Sequence, residues 1–287
     1  MPAPVASTPV MFGRLPTVLV PGLLCTPQLF MAQLPLFWTQ GSVTVADTTR
    51  HGEIGAMARA ILADAPPVFR LVGLSMGGYL AFEILRQAPE RVGELVLFDT
   101  SARADTDEVR ENRLQMIRMA QNGGFGRIPS MFPRLVAPGR VDDLQLAALV
   151  EGMRQAVGAE GFVRQQMAIL GRPDSRPLLA KIDCRTLVVV GEGDQLTPPA
   201  LAQEISSSVP GAKLAIIPGA GHLAPMERPE AVNAVLQRWL SQARVSGPER
   251  QVAPDVSSGP RLLRLLARVG ASKVNGNTLA PFLSACP

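Results

Sequence analysis

Histidine is nearly missing from this chain, with two among 287 residues, and tyrosine occurs once. Aromatic residues together make up 5%, too few for the stacking platforms that single-stranded nucleic acid needs. The three cysteines, Cys25, Cys184 and Cys286, are odd in number, far apart and without metal-ligand spacing. That argues against a disulfide framework and for a reducing compartment. No apolar run approaches the length of about 18 residues that marks an ordinary membrane span. The first nine residues carry no Lys or Arg and have prolines at positions 2 and 4, unlike the basic start and long apolar centre of a secretory leader. These absences set the expectation of a soluble cytoplasmic protein with no stable membrane anchor. No internal repeat stands out.

What is present supports a large core: 47% of residues are hydrophobic and the mean hydropathy is +0.18. The formal charge of +4 is unevenly spread. Arg250, Arg261, Arg264, Arg268 and Lys273, against Glu249 and Asp255, carry most of the excess near the end of the chain. The rest is close to neutral, which argues against a nucleic-acid footprint. Residues 244–287 are rich in Ser, Gly, Pro and Arg and read as a flexible basic tail. Within it Arg261–Val269 is the one stretch with a basic amphipathic helix pattern.

The organising stretch is Leu71-Val72-Gly73-Leu74-Ser75-Met76-Gly77-Gly78. Phe69–Val72 reads as a buried strand and Tyr79–Gln87 as a helix with Leu80, Ile84 and Leu85 on one face. Gly73-x-Ser75-x-Gly77 leaves almost no chain for the reversal between them. Glycine at both flanks removes the Cβ atoms that would collide in so tight a corner. Ser75 is then held at the tip, its hydroxyl above the strand's carboxyl end and beside the free N–H groups of the helix start. In a chain with 26 glycines the pentapeptide alone is a weak pointer, and a serine hydroxyl needs a base to act as a nucleophile.

Strand patterns at Thr17–Val20, Ser42–Ala46, Glu94–Phe98, Arg185–Val190 and Lys213–Ile217 alternate with helical ones at Glu53–Ala65, Pro199–Ser207 and Pro229–Ser241. Strands separated by helices indicate parallel pairing. From Ala102 to Lys181 the alternation stops, and helical stretches are punctuated by Gly and Pro. Met116, Met119, Met131, Met153, Met167, Phe125, Phe132 and Phe162 fall there, as helix core or as the wall of an adaptable apolar pocket.

His222 lies in Gly-Ala-Gly-His after the last strand pattern, and Asp194 in Gly-Glu-Gly-Asp after the one before. Ser75, Asp194 and His222 thus follow three strands in that chain order, at the sheet edge where open α/β sheets build sites. The order Ser, Asp, His separates one serine-hydrolase architecture from the others. His51, after the second strand pattern, is the only other candidate base, and Asp99, after Glu94–Phe98, the other candidate acid, with a capping or turn-forming role as its alternative. Cys25 reads as a small buried apolar residue rather than a second nucleophile.

Val-Gly-Leu-Ser-Met-Gly-Gly, Val-Val-Gly-Glu-Gly-Asp-Gln-Leu-Thr-Pro-Pro and Gly-Ala-Gly-His-Leu-Ala-Pro-Met-Glu-Arg-Pro resemble the motifs of the α/β-hydrolase superfamily, over roughly residues 15–240. The resemblance implies an α/β fold with a mostly parallel doubly wound sheet and a helical cap inserted after the sixth strand. The chain then divides into a first part of the hydrolase core (1–101), the cap (102–181), a second part of the core (182–243) and the tail (244–287). It also implies Ser75 as nucleophile, His222 as general base and then acid, Asp194 as the group that orients the imidazole, and the Leu23 and Met76 N–H groups as the oxyanion hole. Many members begin the oxyanion loop with His-Gly, where this chain has Pro21-Gly22. A serine rather than a carboxylate at the elbow indicates acyl chemistry on an ester, thioester or lactone of a small to medium apolar substrate, with no cofactor and no metal. Carbon–carbon bond hydrolysis, acyl transfer and a slow-turnover ligand receptor on the same fold are the alternatives.

Overall fold

The computed structural model describes residues 15–242. The expected basic tail, the Arg261–Val269 helix and Cys286 lie outside the described residues. Six strands form one sheet: β1 (Thr17–Val20), β2 (Val43–Val45), β3 (Phe69–Leu74), β4 (Val92–Phe98), β5 (Arg185–Gly191) and β6 (Lys213–Ile217). Their order is β2-β1-β3-β4-β5-β6, and every neighbouring pair is parallel.

Successive side chains of a strand point to opposite faces, so a strand buried on both sides supplies two cores. Val18, Leu71, Leu95 and Val188 pack on one face with α1 (Ile54–Asp64), α2 (Met76–Gln87) and α5 (Pro199–Ser208). Leu19, Val72, Val96 and Val189, one residue further along each strand, pack on the other face with Leu29, Phe30 and Phe37 and with α6 (Pro229–Gln242). The doubly wound α/β class expected from the sequence is the observed one.

Between β4 and β5 the chain is helical, chiefly in α3 (Asp107–Met119) and α4 (Leu144–Leu170). Only four described strands precede this insertion, not the six that the family resemblance implied. In α4, Gly158 at φ 69° interrupts the helical backbone. Among the described residues no helix is long and apolar enough to cross a membrane.

The amino-terminal edge of the sheet carries a buried charge ladder. Arg70, Glu94 and Arg185 are register partners on β3, β4 and β5. Glu94 accepts from Arg70 at 2.7 Å and from Arg185 at 3.0 Å, and Arg70 also donates to Thr17 Oγ1 at 3.0 Å. Arg70 interrupts the apolar run of β3 and stays buried because Glu94 neutralises it.

Candidate active site

The strand order reverses between the neighbouring strands β1 and β3, since the chain leaves β1 for β2 on one side and β3 for β4 on the other. In open α/β sheets the crevice at that switch point is where ligands bind, and the loop after β1 and the Ser75 corner after β3 leave the sheet there. A Cβ on Gly73 would land on the Gly77 carbonyl, and one on Gly77 on the Val20 carbonyl. Both glycines are therefore required by backbone approach. Ser75 sits between them at φ 54°, ψ −112°, a strained conformation for a residue with a side chain. Its N–H donates to the Phe98 carbonyl at 3.0 Å, and its carbonyl accepts from Thr100 Oγ1 at 2.8 Å. The end of β4 thus grips the corner from both sides.

Asp194 and His222 meet. His222 Nδ1 lies 2.8 Å from Asp194 Oδ2, with side-chain exposures of 4% and 0%. Asp194 Oδ1 accepts from the N–H groups of Leu196 and Thr197 at 2.8 and 3.0 Å, and Thr197 Oγ1 donates to Oδ2 at 2.6 Å. Burial pushes the Asp194 carboxyl up, but His222 and the Thr197 donors outweigh it and hold the group below its ordinary value. Asp194 is therefore an anion at neutral pH, and its carboxylate fixes the proton of the imidazole on Nδ1, leaving Nε2 as the basic nitrogen.

Glu227, which lies in the third quoted motif but carried no role in the sequence reading, holds the His222 loop. Its Oε1 accepts from Gly221 N–H at 2.8 Å and Leu223 N–H at 3.2 Å, the two residues flanking His222. Its Oε2 accepts from Ala137 N–H at 2.7 Å, on the insertion between β4 and β5.

Ser75 and His222 line one cavity of about 460 Å³, and so do Leu23, Phe132, Met153 and Leu223. Met116, Met131, Phe125 and Phe162 face it too, whereas Met119 and Met167 are 42% and 46% exposed. Pocket wall was the right reading for some of these residues, and neither pocket nor core for the two exposed ones. Neither the Leu23 nor the Met76 N–H donates to a protein acceptor among the described residues. Met76 opens α2, where helix geometry leaves the N–H free.

Neither His51 nor Asp99 lines the cavity that Ser75 and His222 share. His51 lines a separate cavity of about 190 Å³ beside Asp47 and Ile61. Asp99 is buried at φ 45°, its Oδ1 accepting from Gly191 N–H at 2.8 Å, so it ties β4 to β5. Burial and then the Asp194 charge push its carboxyl well above the ordinary range. Cys25 lines the main cavity, but burial pushes its thiol up to about 12, which leaves no thiolate at neutral pH.

A sheet of this order with a buried acid–imidazole pair and a strained serine on one cavity is the frame of an α/β-class hydrolase. The chain belongs to the alpha/beta hydrolase family, whose model matches residues 17–235. It is similar to a thermophilic esterase from Thermogutta terrifontis, solved with malate bound. The identity is 31% and the TM-score 0.73, covering 80% of this chain and 91% of that one. It is 27% identical over 231 residues to a pimeloyl-(acyl-carrier protein) methyl ester esterase of Neisseria meningitidis serogroup B, covering 73% of this chain and 85% of that protein. The enol-lactonase of Burkholderia xenovorans LB400 shares the fold at 23% identity and a TM-score of 0.71, covering 79% of this chain and 92% of that one.

Proposed function

We propose that this hydrolase is a serine enzyme that cleaves a carboxylic ester, thioester or lactone of a small to medium apolar acyl substrate through an acyl-serine intermediate. Ser75 Oγ attacks the carbonyl carbon as its proton passes to His222 Nε2. Asp194 accepts the Nδ1–H hydrogen bond throughout and stabilises the imidazolium. The Leu23 and Met76 N–H groups take the charge that develops on the carbonyl oxygen. Collapse returns the proton from His222 to the leaving oxygen or sulfur. A water activated by the same imidazole then releases the acid and restores Ser75. Residues 102–181 act as the cap that shapes the pocket over this machinery.

The single observation that carries this reading is the buried 2.8 Å Asp194–His222 pair opening onto the cavity that the strained Ser75 also lines. Two further facts support the substrate class. Apolar side chains, among them Leu23, Leu74, Phe132 and Met153, make up the larger part of the cavity wall, with arginines among the remainder, which suits an apolar acyl chain. Two of the relatives described above are named as esterases.

Steady hydrolysis of p-nitrophenyl acetate and butyrate tests the proposal. Ser75→Ala is expected to lower kcat by at least about 10⁴-fold, and a fluorophosphonate is expected to label the wild type on the Ser75 peptide alone. A single stoichiometric burst without turnover, or labelling elsewhere, overturns it.

A further inference from the structure

We infer that Gln165 is a positioning residue for the oxyanion hole, setting the direction of the Leu23 N–H from the α4 helix. The inference rests on the serine-hydrolase reading above and extends it to a residue 141 positions away from the loop that it holds.

The loop after β1 runs Pro21-Gly22-Leu23-Leu24-Cys25, and three hydrogen bonds hold the peptide units around Leu23, the longest a thiol contact from Cys25 Sγ to the Leu23 carbonyl at 3.5 Å. The Gly22 carbonyl accepts from Cys25 N–H at 3.1 Å. In a trans peptide the C=O of Gly22 and the N–H of Leu23 point in opposite directions, so holding that carbonyl aims the Leu23 N–H the other way. The next peptide unit is held by Gln165, whose Oε1 accepts from Leu24 N–H at 3.0 Å. Leu24 itself sits at φ 59°, a conformation that a residue with a Cβ keeps only when its surroundings enforce it.

Gln165 is built for that task. Its side chain is fully buried. Its Nε2 donates to Thr48 Oγ1 at 2.9 Å, and Thr48 is itself buried in the loop after β2. The Leu24 N–H settles which end of the amide faces it, because a flipped amide would set an NH₂ against an N–H donor, whereas the Thr48 hydroxyl can meet either end. One side chain from α4 thus ties together the loops after β1 and β2. The Leu23 N–H is left without a protein acceptor, and Leu23, Leu24 and Ser75 line the same cavity. When the Leu24 N–H loses its acceptor, the left-handed Leu24 relaxes and the Leu23 peptide turns with it.

The test compares Gln165→Leu, which keeps the volume but removes the acceptor, with Gln165→Glu, which keeps the acceptor and leaves Thr48 to donate. Each is assayed for p-nitrophenyl butyrate hydrolysis and for the rate of fluorophosphonate labelling at Ser75, well below its melting temperature. Gln165→Leu is expected to lower both kcat and the labelling rate about tenfold or more with KM changed less than twofold, and Gln165→Glu to recover most of that loss. A folded Gln165→Leu protein that turns over and labels at the wild-type rate overturns the inference, as does an equal loss of kcat in both variants. If the Leu variant does not fold, the Glu variant and Thr48→Val decide. Wild-type labelling with unchanged kcat in Thr48→Val and a crippled Gln165→Glu overturns the inference, whereas a kcat loss in Thr48→Val with Glu near wild type supports it. Failure of the wild type itself to label at Ser75 overturns the serine-nucleophile reading, and this inference with it.

Discussion

Both oxygens of Glu227 are committed to backbone N–H groups, two of them on either side of His222 and one on the insertion that lines the pocket. Replacing it with Leu leaves three donors without an acceptor in a buried loop, and each unmet donor costs about 1–3 kcal/mol. Glu227→Leu is therefore expected to lower the unfolding free energy in urea by about 3 kcal/mol and to lower kcat as the His222 ring loses its fixed approach. Glu227→Gln, which keeps one oxygen, should fall between the two. A Leu variant that matches the wild type in both measurements would refute the role. At this scale the residues that the sequence made visible were the ones with a local signature. Gly73 and Gly77 bracket Ser75, and glycines precede Asp194 and His222, because tight strand-to-loop exits need small residues at fixed offsets. Thr100 and Gln165 carried no signature, since a hydroxyl or amide that bonds a distant backbone looks like any polar residue until the chain is folded. Glu227 stood inside a quoted motif, yet its partners at 137 and 221 were invisible there.

The strands show what one element can disclose about itself. Their apolar runs reveal burial on both faces, so the sheet was legible as parallel, and the structure extends β3 two residues past the expected end, to Leu74 paired with Phe98. Pairing partners were not legible, because any Val-rich strand can lie beside any other. Arg70 illustrates this: inside an apolar run it looks like an error, and only the register with Glu94 and Arg185 explains it. Glu94→Gln removes the one carboxylate that two arginines share and leaves the buried Arg70 guanidinium uncompensated, which costs about 3–5 kcal/mol for a buried pair. In a domain of this size that corresponds to a fall in Tm of roughly 10 °C. The ladder lies at the amino end of the strands, roughly 16 Å along β3 from Ser75 at about 3.3 Å per residue. Esterase kcat at 25 °C is accordingly expected to stay within twofold of wild type while calorimetry shows the lower Tm. A large loss of kcat with an unchanged Tm would contradict this separation between the two edges.

Over the whole molecule, buried carboxyl groups of opposite behaviour meet at the carboxyl edge of the sheet. Asp194 is held below its ordinary range by His222 and Thr197 against the pull of burial, and Asp105 by Arg172 and Arg113 in the same way. Asp99 is pushed the other way, by burial first and the Asp194 charge second, and burial likewise raises Glu227. The two pairs act on stability with opposite signs. Asp105 and Asp194 contribute stability that is present above their unfolded-state pKa of about 3.9 and is lost as pH falls through their lower folded values. Asp99 binds its proton more tightly folded than unfolded, so its contribution is complete below about pH 3.9 and is lost as pH rises towards its folded pKa. The Asp194 charge, with that of Glu227 behind it, opposes ionisation of Asp99 in this cluster. Asp99→Asn removes this titration while retaining an oxygen for Gly191 N–H. Its stability relative to wild type is therefore expected to improve steadily as the pH of a denaturant titration is raised from 5 to 8, whatever constant offset the amide brings. Parallel pH curves for the two proteins would show that Asp99 holds its proton no more tightly in the folded chain than in the unfolded one.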